Sequence, residues 1–232
     1  MPCCPPCIRS VWISYRWISE SVSGLLPAYL FAEDAVCERL GLAIVRHVAP
    51  TLPVTSRISQ GFGRIRTDVP KYRQLARRAP VVVITDLDDR DCPMSLMKEW
   101  DAFPRPGEWL SFRVAVRECE SWVLADATGV GKHFGFSSSA VSATPDELPN
   151  PKQALLSLLR RKSRGRADIV ADMLPASGSR SPVGLGYNLR LRRFVDDNWS
   201  VERAIQRSPS LSRAVRAVTE TVRQWGGTDS ER

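Results

Sequence analysis

The run Pro80-Val-Val-Val-Ile-Thr85 limits what this 232-residue chain can fold into more than any other segment. Five β-branched residues in succession leave no polar face. Such a strand is buried on both sides, which is the situation of an interior strand in a parallel sheet. The segments around it alternate. Residues 25–32 form a short apolar run that reads as a strand. Residues 35–48 follow with apolar side chains at Val36, Leu40, Ala43, Ile44 and Val48, which is helical spacing. Pro50 ends that helix. Residues 52–58 read as a second strand, and 65–79 as an Arg/Lys-rich helix after the turn at Gly61 and Gly63. Residues 92–103 read as a helix with Pro93 in its first turn. Residues 109–116 read as a strand that runs into a helix starting near Glu118. Strand–helix alternation of this kind predicts an α/β fold with a mostly parallel sheet flanked by helices.

Past residue 136 the β signal fades. Residues 137–150 are rich in Ser, Pro and Asp and read as a loop. Residues 151–163, 165–173, 187–197 and 210–225 read as helices, the last with Ser210 as its N-cap. The expected organisation is a loose extension over 1–23, an α/β core over 24–136 and a helical C-terminal region over 137–232. Charge divides along the same line. Residues 1–150 carry 17 basic and 17 acidic side chains, and residues 151–232 carry 16 and 8, so the net +8 lies in the helical region. Such an excess suits a polyanion such as nucleic acid, or serves only as a solubilising surface. No stretch approaches 18 apolar residues, so no membrane span is expected.

The six cysteines do not form a disulfide framework. Cys37, Cys92 and Cys119 are scattered through ordinary elements, which predicts reduced thiols and a cytoplasmic protein. Cys3, Cys4 and Cys7 have the spacing of half a zinc site. A structural zinc needs four ligands, and neither His47 nor His133 sits at a ligand spacing. Trp12, Trp17, Trp100, Trp109, Trp122 and Trp199 read as packing residues.

The acids of the first half gather at strand ends. Glu33 follows the first strand, Asp86, Asp88 and Asp89 the third, and Glu118 and Glu120 the fourth. In an open parallel sheet, ligands bind at the carboxyl ends of the strands. Clustered carboxylates repel one another unless a cation joins them, and their oxygens suit Mg²⁺ or Mn²⁺. On an extended segment Asp86 and Asp88 point the same way. Glu118 and Glu120 share a face only if that stretch is still extended. If the helix has begun, Glu120 is the expected site residue. Each acid also has a plainer use as a helix cap. Asp126 reads as a solvent-facing helical residue.

With these residues in view, the chain resembles the Toprim (topoisomerase–primase) domain. Leu30-Phe-Ala-Glu-Asp34, Val83-Ile-Thr-Asp-Leu-Asp88, Phe112 to Asp126 and Asn150-Pro-Lys152 are similar to one branch, the Toprim-like bacterial proteins related to overcoming-lysogenisation-defect nucleases. The resemblance covers about residues 25–160 and extends to Gly184-Leu-Gly-Tyr-Asn188, for which no mechanism is evident. It implies a metal-dependent nuclease that uses Mg²⁺ or Mn²⁺, with an ATPase partner and a role in phage defence. Glu33 would bind metal or act as general base, Asp86, Asp88, Glu118 and Glu120 would bind metal, and Lys152 would stabilise the phosphate. Lys152 reads equally as a surface lysine. A glycine often follows the Toprim glutamate, and Asp34 stands there instead, which puts the turn's geometry in question.

Basic groups at Arg57, Arg64, Arg66, Lys71, Arg73, Arg77 and Arg78, at Arg160, Arg161 and Lys162, and at Arg190, Arg192 and Arg193 are the candidates for phosphate contact. The alternative to an enzyme is a non-catalytic module that binds nucleic acid or an ATPase partner. Primer synthesis and strand passage rank below both.

Overall fold

A computed structural model describes residues 26–228. The expected N-terminal extension, Cys3, Cys4, Cys7, Trp12 and Trp17 lie outside the described residues. The fold is α/β. Four strands, β1 (Ala28–Ala32), β2 (Val54–Ile58), β3 (Val81–Asp86) and β4 (Leu110–Ala115), pair in parallel in the order β2-β1-β3-β4. The crossovers are helices α1 (Ala35–Val48), α2 (Phe62–Leu75) and α3 (Pro93–Glu99). A helical region follows with α4 (Cys119–Ala125), α5 (Ala127–Phe134), α6 (Pro151–Lys162), α7 (Ala167–Met173), α8 (Tyr187–Asp197), α9 (Val201–Ala204) and α10 (Pro209–Thr228). No described helix is long and apolar enough to cross a membrane.

The β-branched run of β3 is buried at every position, as expected. Val82 and Ile84 join the core on the α1 side, and Val81 and Val83 join the core on the α2 and α3 side. The larger core runs without a break from Leu30 and Ile44 to Leu156, Phe194, Leu211 and Trp225. The C-terminal helices therefore share the core of the sheet. Helix α10 packs on β4 and α1, and α8 packs on α1.

The chain goes from β1 outward to β2 and then returns past β1 to β3. Strand order reverses between β1 and β3, and such a switch point opens a crevice at the strand ends. Glu33 follows one of these two strands, and Asp86 ends the other.

Several boundaries differ from the sequence pattern for local reasons. Helix α2 begins three residues early because Gly61, at φ 105°, turns the chain directly into it. Helix α3 stops at Glu99, and Asp101 at φ 51° turns the chain away. The helix expected from Glu118 is broken at Asp126. Asp126 is fully buried rather than solvent-facing. Its carboxylate accepts the amides of Gly129 and Ser200 and a bidentate Arg203, at 2.6–3.0 Å. Ser208, not Ser210, caps α10, accepting the amide of Leu211 at 3.1 Å. The Ser210 hydroxyl instead accepts the Trp122 indole N–H at 2.7 Å. Trp100, Trp122 and Trp199 are buried packing residues.

Candidate metal centre at the sheet edge

The turn after β1 does not need glycine. Asp34 sits at φ −137°, an extended conformation open to any residue, and its Oδ1 accepts the amides of Val36 and Cys37 at 2.8 Å to start α1. The residue that departs from the Toprim pattern is thus a helix cap, and Glu33 is held just before it. Glu33 Oε2 accepts the Thr85 hydroxyl at 2.6 Å and the Asp86 amide at 3.2 Å. Those bonds tie the end of β1 to the end of β3 through Oε2 alone.

Asp86 Oδ1 accepts the Cys119 amide at 2.9 Å and lies 3.6 Å from Cys37 Sγ. Asp86 and Asp88 do share a space, though not by strand alternation. The strand stops at Asp86, and Asp88 takes a left-handed conformation at φ 52°. The amides of Leu87 and Asp88 both donate to the Arg117 carbonyl, at 3.0 and 2.8 Å, which fixes that turn. A non-glycine residue in this region carries a conformational cost that recurs at functional sites. Asp86, Asp88 and Glu118 line one cleft of 590 Å³, together with Arg90, Arg117 and Asn150.

Glu118 and Glu120 both belong to this region even though the helix has begun. Helix α4 starts at Cys119, so Glu118 is its extended N-cap residue and does not follow helical spacing. Lys152 joins the two. Its amide donates to Glu118 Oε2 at 2.9 Å, and its Nζ lies 3.3 Å from Glu118 Oε1 and 3.6 Å from Glu120 Oε1. Lys152 is therefore a partner of the acids and no plain surface lysine. Glu118 lines the cleft, whereas Glu120 is buried behind it and accepts the Tyr187 hydroxyl at 2.9 Å.

That hydrogen bond explains Gly184-Leu-Gly-Tyr-Asn188. Gly184 N–H donates to the Met173 carbonyl and Gly186 N–H to that of Asp172. A Cβ at Gly186 would fall 2.7 Å from Asp172 Cβ, so the turn closes on the end of α7 only without a side chain. The close approach delivers Tyr187 to Glu120.

The electrostatics follow from crowding and burial. Burial raises the Asp86 carboxyl well above the ordinary range, and Glu120, Asp34, Glu33 and Asp88 add to the shift. Burial raises Glu33, against the bonds from Thr85 and Asp86. Burial, with Glu118 nearby, raises Asp88. Burial lifts Glu120 to about 7, against the pull of Lys152. Burial alone would lower Lys152, but Glu120 and Glu118 outweigh it and hold the ammonium charged.

The basic candidates lie apart from the acids, and Arg57, Arg64 and Lys71 line a separate pocket of 600 Å³. Arg64 pairs with Asp68 at 2.7 Å, Arg66 with Glu99 at 3.4 Å, and Arg73 is buried against Glu108 at 2.8 Å. Arg160, Arg161 and Lys162 are exposed at the far end of α6, about 12 Å or more along the axis from Lys152. The cations lining the cleft are Arg90, itself paired with Glu99 at 2.7 Å, and Arg117, which donates to the Asp88 and Arg90 carbonyls at 3.3 and 3.0 Å; the spacing singled out neither, although Arg117 adjoins Glu118. The reduced-thiol expectation is also corrected, because Cys37 and Cys119 form a disulfide across 82 residues. No local spacing could reveal it, since the partners meet only through the packing of α1 against α4.

By type the carboxylate oxygens suit a hard divalent ion such as Mg²⁺ or Mn²⁺, but among the described residues the one group of three donors within 4.8 Å of one another is Cys37, Asp86 and Cys119, so three of these acids would share an ion only after their side chains draw together. Glu33 and Asp86 each have one oxygen anchored by the protein and one left over, and the Asp88 carboxylate accepts no hydrogen bond among the described residues. Protein bonds that orient a ligand in this way are usual around metals. Compared with known proteins, the chain matches no family model, no curated protein and no solved structure.

Proposed function

We propose that this protein is a metal-dependent nuclease that cleaves phosphodiester bonds at the carboxyl edge of its sheet. The observation that carries this reading is that acids from three strand ends gather at one edge of the sheet, beside the switch point between β1 and β3. Glu33 is tied to Asp86, and Asp86, Asp88 and Glu118 line one cleft whose other walls include Arg90 and Arg117. The Toprim resemblance supports the same reading, and with it come an ATPase partner and a role in phage defence.

Asp86, Asp88 and Glu118 would hold Mg²⁺ or Mn²⁺, with Glu33 beside them. Such an ion polarises a phosphoryl oxygen and lowers the pKa of bound water. Glu33, raised by burial, would be suited to take up a proton from an attacking water. Lys152 keeps its charge and supplies it next to Glu118. Arg90 and Arg117 place positive charge at the cleft for the substrate backbone, DNA or RNA, without reading its sequence.

One observation favours the non-catalytic alternative. Lys152 already neutralises Glu118 and Glu120, as a structural cation would. The two readings separate in a cleavage assay on plasmid DNA, single-stranded DNA and RNA with Mg²⁺ or Mn²⁺. Metal-dependent cleavage lost in Asp88→Ala, with retained folding, is the expected result. Cleavage unchanged by Asp88→Ala would remove the acids from the chemistry. No cleavage by the wild type with any substrate leaves the binding module as the better reading.

A further inference from the structure

Cys37 lies in the first turn of α1 and Cys119 is the first residue of α4. Both are buried, at 0% and 1% exposure, and both meet the Asp86 carboxylate at the end of β3. The two sulfurs and one Asp86 oxygen lie within 4.8 Å of one another. Zinc bonds to thiolate and carboxylate set tetrahedral sulfur–oxygen edges of about 3.6 Å. The Cys37 Sγ to Asp86 Oδ1 separation is 3.6 Å. Three elements from distant parts of the sequence thus bring two soft donors and one hard donor together, with the sulfur–oxygen spacing already suited to a thiophilic ion and the bonded sulfurs needing to part on reduction to the roughly 3.8 Å of two zinc-bound thiolates. Asp86 makes no ion pair among the described residues, so no side-chain cation fills this position.

We propose that Cys37, Cys119 and Asp86 form a redox-gated site for a thiophilic divalent ion such as Zn²⁺, closed by the disulfide and opened by its reduction. A dithiol reductant supplies two electrons that break the S–S bond and two protons that pass to the sulfurs, and it leaves as a disulfide. The incoming ion displaces both protons and binds the two thiolates and Asp86. A fourth ligand would be left to water. In the oxidised state the sulfurs bond to each other and carry no thiolate charge, so the site cannot form. The assignment does not rest on the cleavage chemistry. Where that chemistry holds, the ion takes Asp86 away from it, and zinc inhibits the reduced enzyme but not the oxidised one.

The test uses the full chain with Cys3, Cys4 and Cys7 changed to Ser, which leaves Cys37, Cys92 and Cys119. Cd²⁺ is titrated into oxidised and phosphine-reduced protein, and the thiolate-to-cadmium charge-transfer absorption is read. The expected result is one Cd²⁺ per chain with two-thiolate intensity after reduction, and no band before it. Cys119→Ser abolishes the band, Cys92→Ser leaves it, and Asp86→Asn weakens Cd²⁺ binding by at least about tenfold. An absent band in the reduced chain, an equal band in the oxidised chain, or a band that survives Cys119→Ser overturns the proposal. So does loss of the helical circular-dichroism signal on reduction, because the site needs the fold to persist. The oxidised–reduced comparison needs no substitution in the core. Mn²⁺ binding by the oxidised protein reports separately on Asp88 and Glu118, so failure of the nuclease reading is distinguishable from failure of this one.

Discussion

Glu120→Gln tests how the buried acid behind the cleft is held. Glu120 is 3% exposed, and burial lifts its carboxyl from 4.5 to about 7. Between those values the folded protein keeps a proton that the unfolded chain releases. Stability from this group is therefore full below about pH 4.5, falls as pH rises, and is gone above about pH 7. The size of the fall is about 3 kcal/mol, at 1.36 kcal/mol per unit of difference. For a chain of this length that is roughly 6–12 °C in Tm. Gln is neutral at every pH and keeps an oxygen for the Tyr187 hydroxyl, while Lys152 retains Glu118. Wild type and Glu120→Gln are unfolded by heat and by urea from pH 4 to 8 in the presence of a chelator. The gap between them should shift in favour of the variant by about 3 kcal/mol across that range. Parallel pH profiles would refute the argument, since the fall would then arise elsewhere.

Lys152→Met removes the ammonium that opposes the rise of Glu120, so the pH midpoint seen in the wild type but not in Glu120→Gln should move upward; an unmoved midpoint would mean that Lys152 does not couple to it. Arg203→Met leaves the fully buried Asp126 with only backbone donors and should cost about 3 kcal/mol in urea unfolding at pH 7, near the lower end for breaking a buried pair. Gly186→Ala drives a Cβ against Asp172 and should cost about 1–3 kcal/mol. It should also displace Tyr187, which is read as an altered Glu120 titration by NMR.

Much of the sheet was legible because its signals are local. The β-branched run named β3, and the helical spacing of 35–48 named α1 to the residue. Three acidic strand ends pointed to one sheet edge because parallel topology gathers strand ends wherever it forms. The misread positions depend on contacts between distant segments. Asp126 looked solvent-facing until Ser200 and Arg203 arrived from beyond it in the chain. Ser210 looked like a cap until Trp122 claimed its hydroxyl. The Cys37–Cys119 bond depends on helix packing that no spacing encodes. Extended geometry was the wrong reason for grouping Asp86 with Asp88, since the left-handed turn at Asp88 does that work. Arg73 shows the same limit for charge patterns, because a basic cluster does not reveal which member is buried against Glu108.

The most direct measurement is a calorimetric titration of Mn²⁺ into the oxidised, chelator-cleared protein, run beside Asp88→Ala and Glu118→Ala. The carboxylate centre predicts saturable binding by the wild type, weakened by roughly tenfold or more in each variant whose ligand is removed, with circular dichroism unchanged. Mn²⁺ binding that is absent, or that is equal in all three proteins, would contradict a metal centre at the ends of β1, β3 and β4.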